Sequence, residues 1–187
     1  MLEKKQIGQS TQSIGSGEQE HALYERSTQV PVVHSVSFGY KDIETWHKVA
    51  LEEAEGHIYS RNTNPTVRAF EDKVKELECA EAATSFASGM AAISNTLATF
   101  LKPGDRVVSI KDSYGGTNVI FNEFLPPLNI EVSLCETGDY EQLESQIAKG
   151  CTLLYLETPT NPTIKITDMK RLSLAAKKVG ALVVVDN

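Results

Sequence analysis

Over the first sixty residues apolar and polar positions follow no closed period, and from Pro65 the pattern becomes regular. Residues 1–20 are rich in Gly, Ser and Gln and predict a mobile tail. Residues 21–62 hold apolar stretches such as "VPVVHSVSFGY" without a self-sufficient pattern, so 1–62 reads as a tail and an arm that packs on something else. Behind Asn64-Pro65, Val67, Phe70, Val74 and Leu77 share one face of a helix, with proline near the first turn where its missing N–H costs little. "AATSFA" (82–87) reads as a short strand, "SGMAAISNTLATFL" (88–101) as a helix, "KPGD" as a turn and "RVVSI" (106–110) as a strand. A helix around 116–124 precedes the strand "IEVSL" (130–134), and Asp139 is placed to cap the helix "YEQLESQIA". "TLLYLE" (152–157) is the next strand, "TPTNPTIKI" a loop, 168–178 a helix and "ALVVVD" (181–186) a strand.

Strand and helix thus alternate five times. This predicts an α/β fold over 63–187, a mostly parallel sheet with helices on both faces. The last strand, apolar from Leu182 to Val185, reads as buried on both faces. No covering helix follows it, so the domain is expected to be truncated.

Composition narrows the function classes. With 18 Lys and Arg against 25 Asp and Glu, the formal net charge is −7, which argues against a nucleic-acid-binding face. No apolar run approaches the ~18 residues that span a bilayer, so no membrane partner is expected. The N-terminal lysines precede no apolar core of a secretory signal. Cys79, Cys135 and Cys151 are odd in number and form no CxxC pair. They read as reduced thiols of a cytoplasmic protein without a metal site.

In parallel sheets ligands gather at the carboxyl ends of the strands, and four loops there carry candidate chemistry. Ser88-Gly89-Met90 opens a helix whose first N–H groups suit an anion, although a glycine at such a turn is also an ordinary structural device. In "DSYGGTN" (112–118), Tyr114 is either a packed turn residue or a ring set to stack on a flat ligand. In "ETPTNPT" (157–163), Glu157 ends a buried strand, and two X-Pro units predict an extended loop that fixes Asn161 near the strand ends. Asp186 ends the last strand, where a carboxylate is costly to bury unless paired. Its partner is a backbone amide, a surface lysine or the protonated ring nitrogen of a cofactor. In the arm, Tyr59 and Arg61 stand two apart. An extended segment would point them the same way, able to grip a phosphate.

The segments "YSRNTNPT", "SGMAAI", "DSYGGT", "LETPTNPT" and "VVVDN", in this order and at these intervals, resemble the Cys/Met-metabolism (trans-sulfuration) family of pyridoxal-phosphate enzymes. The resemblance runs from about residue 30 to the end. It implies an aspartate-aminotransferase-like (fold type I) large domain and pyridoxal 5′-phosphate as cofactor. Gly89 and Met90, beside Ser88, would bind the cofactor phosphate. Tyr59 and Arg61 would reach that phosphate from a neighbouring subunit of a dimer-based homo-oligomer, expected as a tetramer. Tyr114 would stack on the ring and handle protons, and Asp186 would pair with the ring nitrogen. Asn161 would lie beside the ring oxygen and the carboxylate of an amino-acid substrate, with Glu157 supporting its loop.

The family's Schiff-base lysine is expected some two dozen residues beyond "VVVDN". None of Lys102, Lys111, Lys149, Lys165, Lys170, Lys177 or Lys178 matches it, so these residues alone are expected to be inactive. Methionine γ-lyases typically carry a cysteine two residues after the stacking tyrosine, where this chain has Gly116. That leans the expectation to a cystathionine γ-synthase-like enzyme joining an O-acyl-homoserine to cysteine. Cystathionine γ-lyase, O-acetylhomoserine sulfhydrylase and methionine γ-lyase are the alternatives, and a non-catalytic binding remnant is the alternative of another class.

Overall fold

The structure is a computed structural model that describes residues 27–187. The expected tail at 1–20 and the start of the arm lie outside the described residues. The chain divides into two compact units, the first ending at Ser85 and the second running from Phe86 to Asn187. The helix behind Pro65 therefore belongs with the first unit.

In the first unit, Phe38 N donates to Ile58 O and Ser60 N to Val36 O around an antiparallel bridge between Ser37 and Tyr59. Helix α1, Ile43–Ala50, starts behind Asp42, whose side chain accepts from Thr45 N. Gly56 has φ +157°, and a Cβ there would stand 2.3 Å from the Tyr40 hydroxyl, so the close approach of that loop requires glycine. Helix α2, Pro65–Leu77, starts where expected and is capped by Asn64: its Oδ1 accepts from Thr66 N at 2.8 Å, while its Nδ2 donates to Val33 O. Its anticipated apolar face is not covered, since Val67, Phe70 and Leu77 are all exposed.

The strand expected at 82–87 is absent. Residues 82–86 run without ladder bonds, and Ser85 instead gives both its N–H and its hydroxyl to Glu71 Oε1 on α2, at 2.8 and 2.9 Å. A strand requires a neighbour, and the described sheet offers it none.

The second unit is a four-stranded parallel sheet of β1 (Arg106–Ile110), β2 (Glu131–Cys135), β3 (Leu153–Glu157) and β4 (Leu182–Asp186), in the order β2-β1-β3-β4. Helix α3 spans Gly89–Phe100. Helix α4, Gly115–Val119, widens into a π turn over Ile120–Phe124 and a 3-10 turn at Pro126–Leu128. Helices α5 (Tyr140–Ala148) and α6 (Met169–Lys178) are capped by Asp139 and Asp168.

Alternation along the strands feeds two cores. On one face Val108, Ile110, Leu154 and Leu156 pack under Leu143 and Ile147 of α5 and Leu172 and Ala176 of α6. On the other, Val107, Leu153 and Tyr155 pack under Leu97 of α3 with Phe121 and Leu125 of the widened turn. Each fully buried aliphatic side chain contributes about 1.5–3 kcal/mol. Together these layers give the expected fold, with helices on both faces of a parallel sheet.

β4 departs from the expectation of a doubly buried strand. It stands at the sheet edge, and Leu182, Val183 and Val185 are 46%, 36% and 39% exposed, because no described strand or helix covers its outer side.

At the amino ends of the strands Arg106 acts as a clasp. Its Nε donates to Glu131 Oε1, Nη1 to the carbonyls of Gln146 and Gly150, and Nη2 to Ser133 Oγ and Gln146 Oε1, all between 2.6 and 2.9 Å. The planar fork thus ties β1 to β2 and to the end of α5.

Candidate functional site

The opposite rim, at the carboxyl ends of β3 and β4, holds a hollow of about 470 Å³, a volume within the range of small-molecule sites. Ser88, Gly89 and Met90, Tyr114, Glu157 and Asn161, and Asp186 all line it, together with Ile93, Pro159 and Asn187. Seven residues from four separate loops, singled out from sequence, meet in one place.

Ser88 has an extended backbone, and its hydroxyl accepts from Ala91 N at 3.1 Å while its carbonyl accepts from Ala92 N. The first two N–H groups of α3, those of Gly89 and Met90, have no such intrahelical acceptor. Helix start and dipole together favour an anion at that end of the hollow.

Glu157 is 4% exposed and spends both oxygens on backbone: Oε2 accepts from Tyr114 N at 2.7 Å and Oε1 from Asn161 N at 2.6 Å. It fastens the loop after β1 to the loop after β3. The latter loop is not extended as its prolines suggested. Both X-Pro peptide bonds are cis, and Thr160 N donates to Lys165 O while Ile164 N donates to Thr160 O, which closes a turn at 161–163. On its outer side Lys165 Nζ meets Asp112 Oδ2 at 2.5 Å, and this bond holds the Asp112 carboxyl below its ordinary value.

Tyr114 is 46% exposed, its ring standing in the hollow. A Cβ added at Gly116 would lie 2.7 Å from Met90 Sδ and 3.0 Å from Tyr114 Cε1, so glycine lets the Met90 thioether and the Tyr114 ring close together.

Asp186 accepts a hydrogen bond from the Tyr155 hydroxyl at Oδ2, 2.8 Å away, and its Oδ1 has no partner among the described residues. The sequence reading missed Tyr155. Its signal was present: β3 and β4 pair in parallel with Tyr155 beside Val184, so Tyr155 lies on the face that carries Asp186 two residues on. Tyr155 is fully buried, its ring meeting Phe121 edge-on at 5.2 Å between centroids. Burial first, then the Asp186 carboxylate, pushes its phenol far above the ordinary value.

Tyr59 and Arg61 belong to the first unit. They lie on a turn rather than an extended segment, because Asn62 N and Thr63 N both donate to Tyr59 O. The turn brings them together in another way: the Arg61 guanidinium stands 4.8 Å from the centre of the Tyr59 ring.

Comparison with known proteins follows this geometry. The family model described as Cys/Met metabolism PLP-dependent enzyme matches residues 10–187. The L-methionine gamma-lyase of Fusobacterium nucleatum subsp. nucleatum is 39% identical over 188 residues, 100% of this chain and 47% of that protein. The cystathionine gamma-lyase of Bacillus subtilis is 40% identical over 153 residues, 82% of this chain and 40% of that protein. Among solved structures, the cystathionine gamma synthase of Xanthomonas oryzae pv. oryzae, in complex with aminoacrylate and cysteine, superposes with a TM-score of 0.77. It is 30% identical, with 98% of this chain and 45% of that chain covered. The chain thus spans about half the length of the relatives it matches.

Proposed function

The chain belongs to the Cys/Met-metabolism family of PLP-dependent enzymes, and from that premise we propose that its hollow holds pyridoxal 5′-phosphate and that the whole protein acts at the γ-carbon of a sulfur- or homoserine-derived amino acid. The observation that carries this reading is Asp186 Oδ1, without a partner among the described residues, in one hollow with the start of α3 and the Tyr114 ring. The three features fit the three handles of the cofactor. The helix start suits a phosphate, the carboxylate a protonated ring nitrogen and the tyrosine ring a flat face.

When bound, the cofactor supplies a protonated aromatic ring that draws electron density from the α-carbon of an amino acid. The chain's own residues set the conditions for that. The N–H groups of Gly89 and Met90 anchor the phosphate, while Ser88 holds the helix start in shape. Asp186 keeps the proton on the ring nitrogen. Tyr114 covers one face of the ring and carries protons at its hydroxyl. Asn161 offers its amide to the substrate carboxylate, and Glu157 keeps Tyr114 and Asn161 in step.

Tyr59 and Arg61, on the arm 1–62, complete the phosphate site of a neighbouring copy in a dimer-based assembly, and the protein works in the cytoplasm. The names of the relatives that match across the chain favour γ-cleavage to a 2-oxo acid and ammonia. The γ-synthase reading is supported by Gly116 in place of cysteine and by the likeness to the Xanthomonas enzyme.

Product analysis on the whole protein decides between them. Cystathionine or methionine giving 2-oxobutanoate and ammonia supports the lyase, and an O-acyl-homoserine with cysteine giving cystathionine supports the synthase. Retention of pyridoxal phosphate in equilibrium dialysis, lost in Asp186→Ala, tests the cofactor assignment itself. Equal retention in both proteins would overturn it.

A further inference from the structure

The buried wall behind Asp186 contains a polar group, the Tyr155 hydroxyl, that the roles above leave unused. We propose that Tyr155 is a positioning residue: its hydroxyl fixes one oxygen of Asp186 so that the other meets the cofactor's ring nitrogen. This rests on the reading that Asp186 pairs with that nitrogen.

The argument begins with cost. Tyr155 is fully buried among Phe121, Leu97 and Leu125, where a phenylalanine would fill the same space without a hydroxyl to satisfy. An O–H in such surroundings costs on the order of 1–3 kcal/mol if left unpaired. Its partner is Asp186 Oδ2 at 2.8 Å, and an O–H aimed at a carboxylate is among the stronger hydrogen bonds a protein makes.

Register supplies the direction. With Tyr155 beside Val184 in the parallel pair, a tyrosine leaning along its strand reaches the residue two places further on its neighbour, and a shorter side chain would fall short. Sitting on Oδ2, the hydroxyl stops the carboxylate from rotating about its Cβ–Cγ bond. Oδ1 is thereby held as the acceptor on the side of the hollow.

The electrostatics agree. Asp186 stands in register with Glu157, a second carboxylate. Glu157 is already satisfied by two backbone N–H groups, from Tyr114 and Asn161. Among the described residues the Asp186 side chain has no backbone donor, and Tyr155 fills that place. Burial and the adjacent carboxylate raise the phenol above its ordinary value, which agrees with its O–H standing as the donor to Asp186.

The test uses pyridoxamine 5′-phosphate, which requires no lysine, and the full chain carrying Tyr155→Phe, Asp186→Asn or both. Calorimetry should give about a fivefold loss of affinity for Tyr155→Phe, the equivalent of one hydrogen bond of ~1 kcal/mol. The same substitution should change nothing in the Asp186→Asn background. With ring-¹⁵N-labelled ligand, Tyr155→Phe should move the nitrogen resonance toward the unprotonated position, which a merely structural role would not do.

Unchanged affinity and an unchanged nitrogen resonance in a folded Tyr155→Phe overturn the proposal, as does an equal loss in both backgrounds. Should that variant not fold, the unvaried chain still decides. Its Tyr155 hydroxyl proton is expected as a slowly exchanging low-field resonance that Asp186→Asn shifts, and a freely exchanging proton overturns the pairing. If the unvaried chain binds no pyridoxamine phosphate, or Asp186→Asn binds it equally, the cofactor reading fails and the positioning role falls with it. The hydroxyl resonance then reports separately whether the pair itself exists.

Discussion

Glu157 Oε2 accepts the backbone N–H of Tyr114 across 43 positions of sequence, at 2.7 Å. Its other oxygen takes Asn161 N, so one buried carboxylate holds two ligand-facing loops at once. Glu157→Gln turns an NH₂ group toward one of those N–H donors. We predict a loss of roughly 2–3 kcal/mol in urea unfolding, with a weaker hold on pyridoxamine phosphate because Tyr114 and Asn161 no longer move together. Unchanged unfolding would show that the two loops are placed by other contacts.

Arg106 should be at least as sensitive, for reasons remote from the hollow. Lysine keeps the charge but replaces a planar fork by a single nitrogen, so Arg106→Lys gives up at least two of the five hydrogen bonds. The expected cost is about 2–4 kcal/mol, read from the thermal midpoint, with ligand affinity unchanged in the fraction that remains folded.

Stability should fall on both sides of neutral pH. Hydrogen bonds from the Thr45 backbone to Asp42 and from the Lys102 backbone to Asp105, the Lys165 side chain on Asp112, and the Arg171 side chain on Glu144 lower these carboxyls in the folded state. The unfolded chain therefore binds protons first as pH drops. This contribution is full above the ordinary carboxylate range and is lost as pH falls through it. Burial raises Cys135, Cys151 and Tyr155. Their contribution is intact below the ordinary values of 9.0 and 10.0 and is lost as pH climbs past them. Urea midpoints from pH 3 to 11 should trace a dome, and a flat profile would contradict these shifts.

In residues 1–187 taken alone, the edge of β4 is an aggregation hazard, an exposed apolar strand whose outer ladder groups meet no described strand. Val183→Lys and Val185→Lys, both at partly exposed positions, should lower light scattering at equal concentration with little change in the melting of α5 and α6. If scattering persists, the association arises elsewhere.

No lysine lines the hollow among the described residues. Borohydride reduction of residues 1–187 with pyridoxal phosphate should therefore leave no single, stoichiometric lysine adduct on peptide mapping. One uniquely labelled lysine would show that a side chain outside the hollow reaches the cofactor.

Much of the second unit was legible because its signals are local. Short apolar runs marked β1, β2 and β3, and Asp139 announced the helix it caps. That seven of the candidate residues share one hollow was legible for a related reason: in a parallel sheet, whatever follows a strand converges with whatever follows its neighbours. Failures fell where the deciding partner lies far off in sequence or has no local mark. Residues 82–87 have strand composition but no ladder neighbour among the described residues, and Glu71 holds Ser85 instead. An unbroken apolar run cannot distinguish a central strand from an edge, and in the described four-stranded sheet Leu182 to Val185 stand at the edge. Tyr155 passed as one more apolar strand residue, because only register with β4 reveals what its hydroxyl meets.

The clasp of Arg106 and the hollow occupy opposite rims of one sheet. Part of the architecture is thus secured at a distance from chemistry, and substitutions among hollow-lining residues other than Glu157 leave that clasp intact. Such a division gives a lineage freedom to change which bond is broken while inheriting the same scaffold, and proteins bearing lyase and synthase names share this fold.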